Sequence, residues 1–265
     1  MSWINTNWWT LPLFITFFSG ILCPSIGTVL IAHKRLLQVN LISHCVLPGL
    51  ALALALGISP SIGGVVSGLS GALIAESLTN NKHENYEAVM NTILAGSLGL
   101  GVLLIPFLGI RIDLEAVLFG DLLTANIGDL IRTLIAFATF ICLMIFGYDK
   151  LVYIGLDPES AAASGIKVYS LNLALGVTTA LAIVSSMAAV GVILVIALLS
   201  SPALLGLHKA PSLWIGIVRS SIFGISLSIL GFLIAFVFNL PPGPIISILC
   251  VLSLVFIPKK SKLSF

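Results

Sequence analysis

Residues 39–57 read VNLISHCVLPGLALALALG. The stretch carries no Asp, Glu, Lys or Arg. Wound as an α-helix rising 1.5 Å per residue, it comes close to the ~20 apolar residues needed to cross the hydrocarbon core of a bilayer. Two features depart from a featureless span. His44 is ionisable, and the Pro48–Gly49 pair loosens the helix one turn further on. An ionisable side chain inside a membrane segment marks a functional site by default. The alternative is a neutral imidazole that hydrogen-bonds to a neighbouring helix and so holds the two together. Asn40 lies four residues earlier and shares the helix face of His44. An imidazole nitrogen and an amide oxygen can together contact a divalent cation.

The rest of the chain has the same character. Of 265 residues, 58% are hydrophobic and 8% charged, against about 25% charged in soluble domains. The mean hydropathy is +1.18. Such a chain cannot cover itself with polar surface, so the expected fold is an all-α polytopic membrane bundle, residues 1–265 forming one transmembrane domain. The net charge of +2 is small and scattered, which excludes a nucleic-acid partner and leaves membrane lipid as the surrounding phase. Cys23, Cys45, Cys142 and Cys250 all lie in apolar runs without metal or disulfide spacing, and read as packing residues. The segment MSWINTNWWT lacks the basic flank of a cleaved signal, and Trp3, Trp8 and Trp9 read as an interfacial anchor.

Apolar runs of spanning length fall at roughly 11–32, 39–57, 60–79, 88–109, 129–148, 171–187, 189–206, 214–238 and 244–258, about nine segments with eight as the lower count. The run from Leu171 to Gly206 is too long for one span and short for two, and Ser185–Ser186 is the expected break. With the N-terminus outside and nine crossings, Lys34, Arg35, Lys82, Lys150, Lys167, Lys209, Arg219, Lys259, Lys260 and Lys262 fall on or near the cytoplasmic side. Only Arg111 and Arg132 fall outside. Positive residues are biased to the cytoplasmic face in this way.

Two loops then have room to act. The outer loop, 110–128, carries Asp113, Glu115 and Asp121, with Asp129 just beyond it. The inner loop, 149–170, contains Asp157-Pro158-Glu159 followed by an Ala-rich stretch ending at Gly165. Asp157 suits the N-cap, Pro158 the first helical position and Gly165 the C-cap, which predicts a short helix of about two turns. No nucleotide-binding loop, nucleophile elbow or zinc-protease motif occurs, so the chain is not expected to be an enzyme. Glu76, near the inner end of the third segment, is expected to reach the interface by its own length. His33, His83 and His208 are expected to be solvated or at lipid headgroups.

Five stretches in order, SHCVLPGLALAL, DLEAVLFGDLL, DPESAAASGI, AAVGVILVIALLSSPA and NLPPGPIISIL, resemble the permease subunits of ABC importers for manganese, zinc and iron over about residues 12 to 258. The resemblance implies a homodimer in a bacterial plasma (inner) membrane. It further implies two cytoplasmic ATP-binding subunits that hydrolyse ATP and an extracytoplasmic metal-binding protein that delivers the ion. A divalent metal is then substrate, and no cofactor is permanently bound. The segment from Asp157 through Pro158 and Glu159 to Gly165 is similar to the element that couples to the ATPase, and Asp113, Glu115 and Asp121 would face the binding protein. His44 matches the family's metal-contacting histidine. The family's second span has Gly-Asp at the positions of Val39 and Asn40, so the carboxylate ligand is replaced here by an amide, a weaker one for a hard cation. A secondary metal transporter or metal/proton antiporter is the competing reading, and it calls for carboxylates at the bilayer midplane.

Overall fold

The computed structural model describes residues 10–80, 86–109, 126–238 and 240–256. Regular structure among them is entirely helical: α1 (Thr10–Ala32), α2 (Leu37–Ala55), α3 (Pro60–Asn80), α4 (Tyr86–Phe107), α5 (Ile127–Leu156), α6 (Pro158–Ala163), α7 (Val168–Val190), α8 (Val192–Leu207), α9 (Leu213–Phe238) and α10 (Pro242–Ser253), followed by a 3-10 turn at Leu254–Phe256. Helices are what lipid requires, because every backbone N–H and C=O in the hydrocarbon must be bonded within its own segment.

Among the described residues seven helices are long and apolar enough to span a membrane. The other two apolar helices, α8 with 16 residues and α10 with 12, fall short. At 1.5 Å per residue they reach about 24 Å and 18 Å, less than a core of about 30 Å. The eight to nine runs seen in the sequence thus correspond, among the described residues, to seven helices of spanning length and two shorter apolar ones. The break in the long apolar run also moves. It falls at Gly191, with φ +84°, between α7 and α8. Glycine takes that left-handed backbone without steric cost. Ser185 and Ser186 instead stay inside α7 and are buried. The Ser186 hydroxyl stands 3.3 Å from that of Ser19 and 3.7 Å from the Cys23 thiol. A polar pair in an apolar run signals a helix–helix contact here, not an interruption.

The helices divide into two compact units. One contains residues 1–34, 114–140 and 185–265. In it, α1 packs on α8 and α9, and α10 on the same two. The contacts rest on small residues and hydroxyls. A Cβ on Gly27 would lie 1.8 Å from the Leu199 carbonyl oxygen, so the two backbones touch. Thr28 donates to Ser220 at 2.7 Å, and Ser25 and Ser221 share a bond of 2.9 Å. Ser201 donates to the Cys250 carbonyl at 2.6 Å, fastening α8 to α10. Lipid supplies no hydrophobic force between helices, so close backbone approach and hydroxyl bonds carry the association.

The other unit contains residues 35–113 and 141–184. Its centre is α2, packed against α3 and α4. A Cβ on Gly49 would lie 2.1 Å from the Gly63 carbonyl oxygen, and one on Gly63 2.2 Å from that of Gly49. On α4, Gly101 receives Leu47 and Pro48 of α2, with the Leu47 Cβ 2.9 Å from where a Gly101 Cβ would stand.

The glycine contacts predict a contrast. Gly27→Ala forces the α1–α8 backbones apart and should cost about 1–3 kcal/mol. Gly96→Ala, with nothing within 4 Å of the new methyl, should be neutral or gain about 0.5–1 kcal/mol of helix propensity. Melting temperatures of the two variants in detergent read this directly. Equal temperatures would contradict the packing described.

Candidate functional site

Along α2 from Gln38 to Ala53 nearly every residue is buried. Asn40, His44 and Leu47 are only half-buried, and at spacings of four and three they line one face. The structure thus keeps the two sequence-predicted ligands together on the partly open side of an otherwise enclosed helix. Pro48 adds to this. Having no N–H, it cannot bond the carbonyl four residues back, which belongs to His44. The His44 oxygen is therefore released from the helical ladder. The next carbonyl, that of Cys45, accepts a hydrogen bond from the Ser67 hydroxyl of α3. Ser43 turns back onto the Val39 carbonyl at 2.8 Å and stays buried. Among the described residues no group of three or more His, Cys, Asp and Glu side chains stands ready to hold a metal. What α2 offers is one imidazole, one amide and a loosened backbone, a set suited to brief contact.

The start of α2 lies beside a second polar group that sequence reasoning missed. Arg35 reaches both carboxylate oxygens of Glu76 on α3, at 2.6 and 3.3 Å. Its guanidinium also lies 5.5 Å from the ring centroid of Tyr86, at the start of α4. Glu76 is 3% exposed, so it does not reach out to the interface as expected. A shielded carboxylate needs a fixed counter-charge, and removing one partner of such a pair costs about 3–5 kcal/mol. One turn past Arg35, Gln38 is 1% exposed with neither Oε1 nor Nε2 hydrogen-bonded. Asn172 on α7 is buried too, with Oδ1 unpartnered. A buried polar group left unbonded costs about 1–3 kcal/mol. A Gln and an Asn inside apolar runs were the available signal.

His33 and His208 also depart from expectation. Each is half-buried with its Nε2 shielded from solvent, not free in the headgroup region. Cys23, Cys45 and Cys250 are buried as expected, whereas Cys142 is exposed. His83, Trp3, Trp8, Trp9 and the outer-loop acids Asp113, Glu115 and Asp121 lie outside the described residues. Asp129 is no loop acid. It forms a reciprocal cap with Asn126, each accepting the other's amide proton at 3.0–3.1 Å, and binds Arg132 at 2.9 Å. α5 begins at Ile127.

The inner segment 149–170 is mostly helical. α5 runs through Lys150 to Leu156, and its 30 residues make a rod of about 45 Å, longer than the hydrocarbon core. At its end Asp157 caps α6, accepting from the amides of Glu159 and Ser160 at 3.1 Å each, with Pro158 in the first turn. The Ser160 hydroxyl donates to the other carboxylate oxygen. The helix closes at Gly165, φ +81°, where the Gly165 amide bonds the Ala162 carbonyl and the Ile166 amide that of Ala161. This is the paired closure in which glycine takes the left-handed position. Ala161 is fully buried, and the Tyr153 hydroxyl of α5 meets that of Ser164 at 3.2 Å. Six residues too few to be stable alone are thus fixed at both ends and seated on α5.

Residues 9–260 match the model of the ABC 3 transport family. The chain belongs to that family. Among its relatives, a membrane protein of the ycf23-apcF intergenic region of Cyanophora paradoxa is 34% identical, over 91% of this chain and 81% of the relative. The manganese import system permease protein ScaB of Streptococcus parasanguinis is 31% identical over 92% of this chain and 88% of its own length. Among solved structures, PsaBC from Streptococcus pneumoniae in complex with Fab contains a chain superposing with a TM-score of 0.82. It is 30% identical and covers 97% of this chain and 94% of its own. This ABC 3 family chain is accordingly a multi-pass membrane permease.

The caps of α6 predict a pH response. Hydrogen bonds from the Ser160 hydroxyl and amide, then from the Glu159 amide, hold the Asp157 carboxyl below the usual carboxylate range. A carboxyl whose folded pKa is depressed stabilises the fold above its unfolded value, about 3.9, and that contribution is lost as pH falls through the lower folded value. Amide exchange at Glu159 and Ser160 should therefore stay protected down to about pH 4 and fail below it. In Asp157→Ala both amides should exchange freely at every pH. Protection in the alanine variant would mean that the cap does not hold the helix.

Proposed function

We propose that this chain is the membrane-spanning permease subunit of an ATP-driven importer of divalent metal ions (manganese, zinc or iron). In this reading it works as a homodimer on two cytoplasmic ATP-binding subunits in a bacterial plasma membrane. An extracytoplasmic metal-binding protein delivers the ion and docks on the acidic outer segment with Asp113, Glu115 and Asp121. The observation that carries the proposal is the Asn40–His44 face of α2, half-open beside a proline-loosened backbone, in a chain of the ABC 3 transport family. The naming of a 31% identical relative for manganese import supports the cargo class.

Neutral imidazole is a suitable ligand for first-row divalent metals, and hard oxygens add to it. The His44 side chain, the Asn40 amide oxygen and the released His44 carbonyl contact the ion in passing. With the amide in place of a carboxylate the site binds weakly, which suits transport, since an ion held too tightly does not leave. The nine crossings of this reading count α8 and α10 as short ones. They put the N-terminus outside and the C-terminus inside, in keeping with the Lys and Arg distribution. The α6 helix, presented beyond the membrane by the long α5, is the coupling element, with Asp157, Pro158, Glu159 and Gly165 shaping the surface that docks on the ATPase. A secondary transporter has less support. The buried carboxylates among the described residues, Glu76 and Asp129, are held by Arg35 and Arg132 near helix ends.

Three measurements test the proposal. In a strain dependent on this transporter, His44→Ala should insert normally but cut metal accumulation by tenfold or more, and Asn40→Asp should tighten binding. Accumulation at the wild-type level in His44→Ala would leave the imidazole a helix-packing group. Gly165→Arg distorts a left-handed glycine position and adds bulk to the docking surface, so the chain should insert yet fail in ATP-driven uptake. Uptake at the normal rate would remove α6 from the coupling role. A reporter fused after Lys262 should read cytoplasmic, and a periplasmic signal would overturn the nine-crossing topology.

A further inference from the structure

Within the unit built on α2, α3 and the first part of α7, Gln38 and Asn172 have no structural reason to be polar. Gln38 is buried, and neither of its amide atoms is bonded. Apolar residues of the same size would fill these places at lower free energy. The neighbouring chain has nevertheless made room for the Gln38 amide. Its Nε2 lies 2.7 Å from where a Cβ on Gly176 would stand, so α7 carries a glycine at the point where the side chain meets it. The same point is 3.8 Å from the Ala72 Cβ of α3. Asn172 sits one turn before Gly176 on α7, and its Oδ1 is likewise unbonded.

A cation site does not fit this cluster. Gln38 and Asn172 are neutral amides, and the nearby carboxylate, Glu76, is already taken up by Arg35, three residues before Gln38 and just ahead of α2, so no free anionic ligand is at hand. Position in the chain suggests another role. Asn172 lies in the first turns of α7, which leaves directly from the Gly165–Ile166 closure of α6. Gln38 lies in the first turn of α2, six residues before His44. The ion pair Arg35–Glu76 meanwhile ties the start of α2 to α3. Buried polar groups without partners in one arrangement are a natural reservoir of strain, relieved when neighbouring helices shift and bring partners within reach.

We propose that Gln38 and Asn172 are positioning residues that pass movement of α6–α7 to α2, by gaining hydrogen bonds only when α7 shifts against α2. Their unbonded state raises the energy of the present arrangement, and their bonded state rewards the shifted one. The relay rests on the coupling role proposed for α6.

The test uses the complete transporter, permease with its ATP-binding subunit, in proteoliposomes loaded with ATP, with the binding protein and Mn2+ as the probe supplied outside. Gln38→Met keeps the unbranched shape without either polar atom, and Asn172→Leu does the same at the second site. Both variants should melt at or above the wild-type temperature and hydrolyse ATP at the basal rate. Both should lose Mn2+ uptake and binding-protein-stimulated hydrolysis by tenfold or more. A lower melting temperature in both would show that the amides serve packing, and would overturn the relay. Gly165→Arg, measured alongside, separates the two readings. Wild-type uptake by Gln38→Met and Asn172→Leu beside an inactive Gly165→Arg overturns the relay alone. Wild-type uptake by Gly165→Arg overturns the coupling role and the relay together.

Discussion

The backbone contact between Gly49 of α2 and Gly63 of α3 governs the unit that carries the candidate site. Each glycine sits where any side chain would strike the partner's carbonyl, so the two helices meet main chain to main chain. Inside lipid this contact stands in for a hydrophobic core. Dispersion falls off steeply with any gap, and apolar surface gains nothing by leaving lipid for protein. The Arg35–Glu76 pair ties the segment just before α2 to the last turns of α3. Held against α3 and met at Leu47 and Pro48 by Gly101 of α4, α2 leaves Asn40 and His44 only half-buried on one face.

The polar groups of the chain follow two different rules. Hydroxyls such as Thr28, Ser186, Ser201 and Ser220 are bonded to neighbouring helices and act as fasteners. Gln38, through both amide atoms, and Asn172, through Oδ1, are buried but unbonded. In hydrocarbon, where water cannot repair the omission, an unbonded amide is costly. His44 lies between the two cases, half-buried beside a carbonyl that Pro48 has released.

The six-residue α6 shows how a short element holds its shape. Asp157 satisfies amide protons at its start, Gly165 closes the carbonyls at its end, and Ala161 rests buried. Helix nucleation is costly, so caps and a seat on α5 supply what length cannot. The same closure leads the chain into α7, which begins two residues after Ile166.

Much of this was legible in the amino-acid order. Spans are set by runs of apolar residues, and the runs near 11–32, 39–57, 60–79, 88–109 and 214–238 became helices within a few residues of those limits. The caps of α6 were equally local, since Asp157, Pro158 and Gly165 act on amides and carbonyls a few residues away. The Asn40–His44 face followed from helical spacing alone. The long-range facts were not legible. Whether Ser185–Ser186 breaks a helix or bonds one depends on Ser19 and Cys23, which lie more than 160 residues away. Whether Glu76 reaches water depends on Arg35, 41 residues earlier. Whether Gln38 is satisfied depends on what α7 places against it. Hydropathy and capping are properties of neighbours along the chain, so the sequence determined the spans and the short helix. The partner of a buried polar group is set by helices meeting through close glycine contacts, and only the tertiary structure decided that.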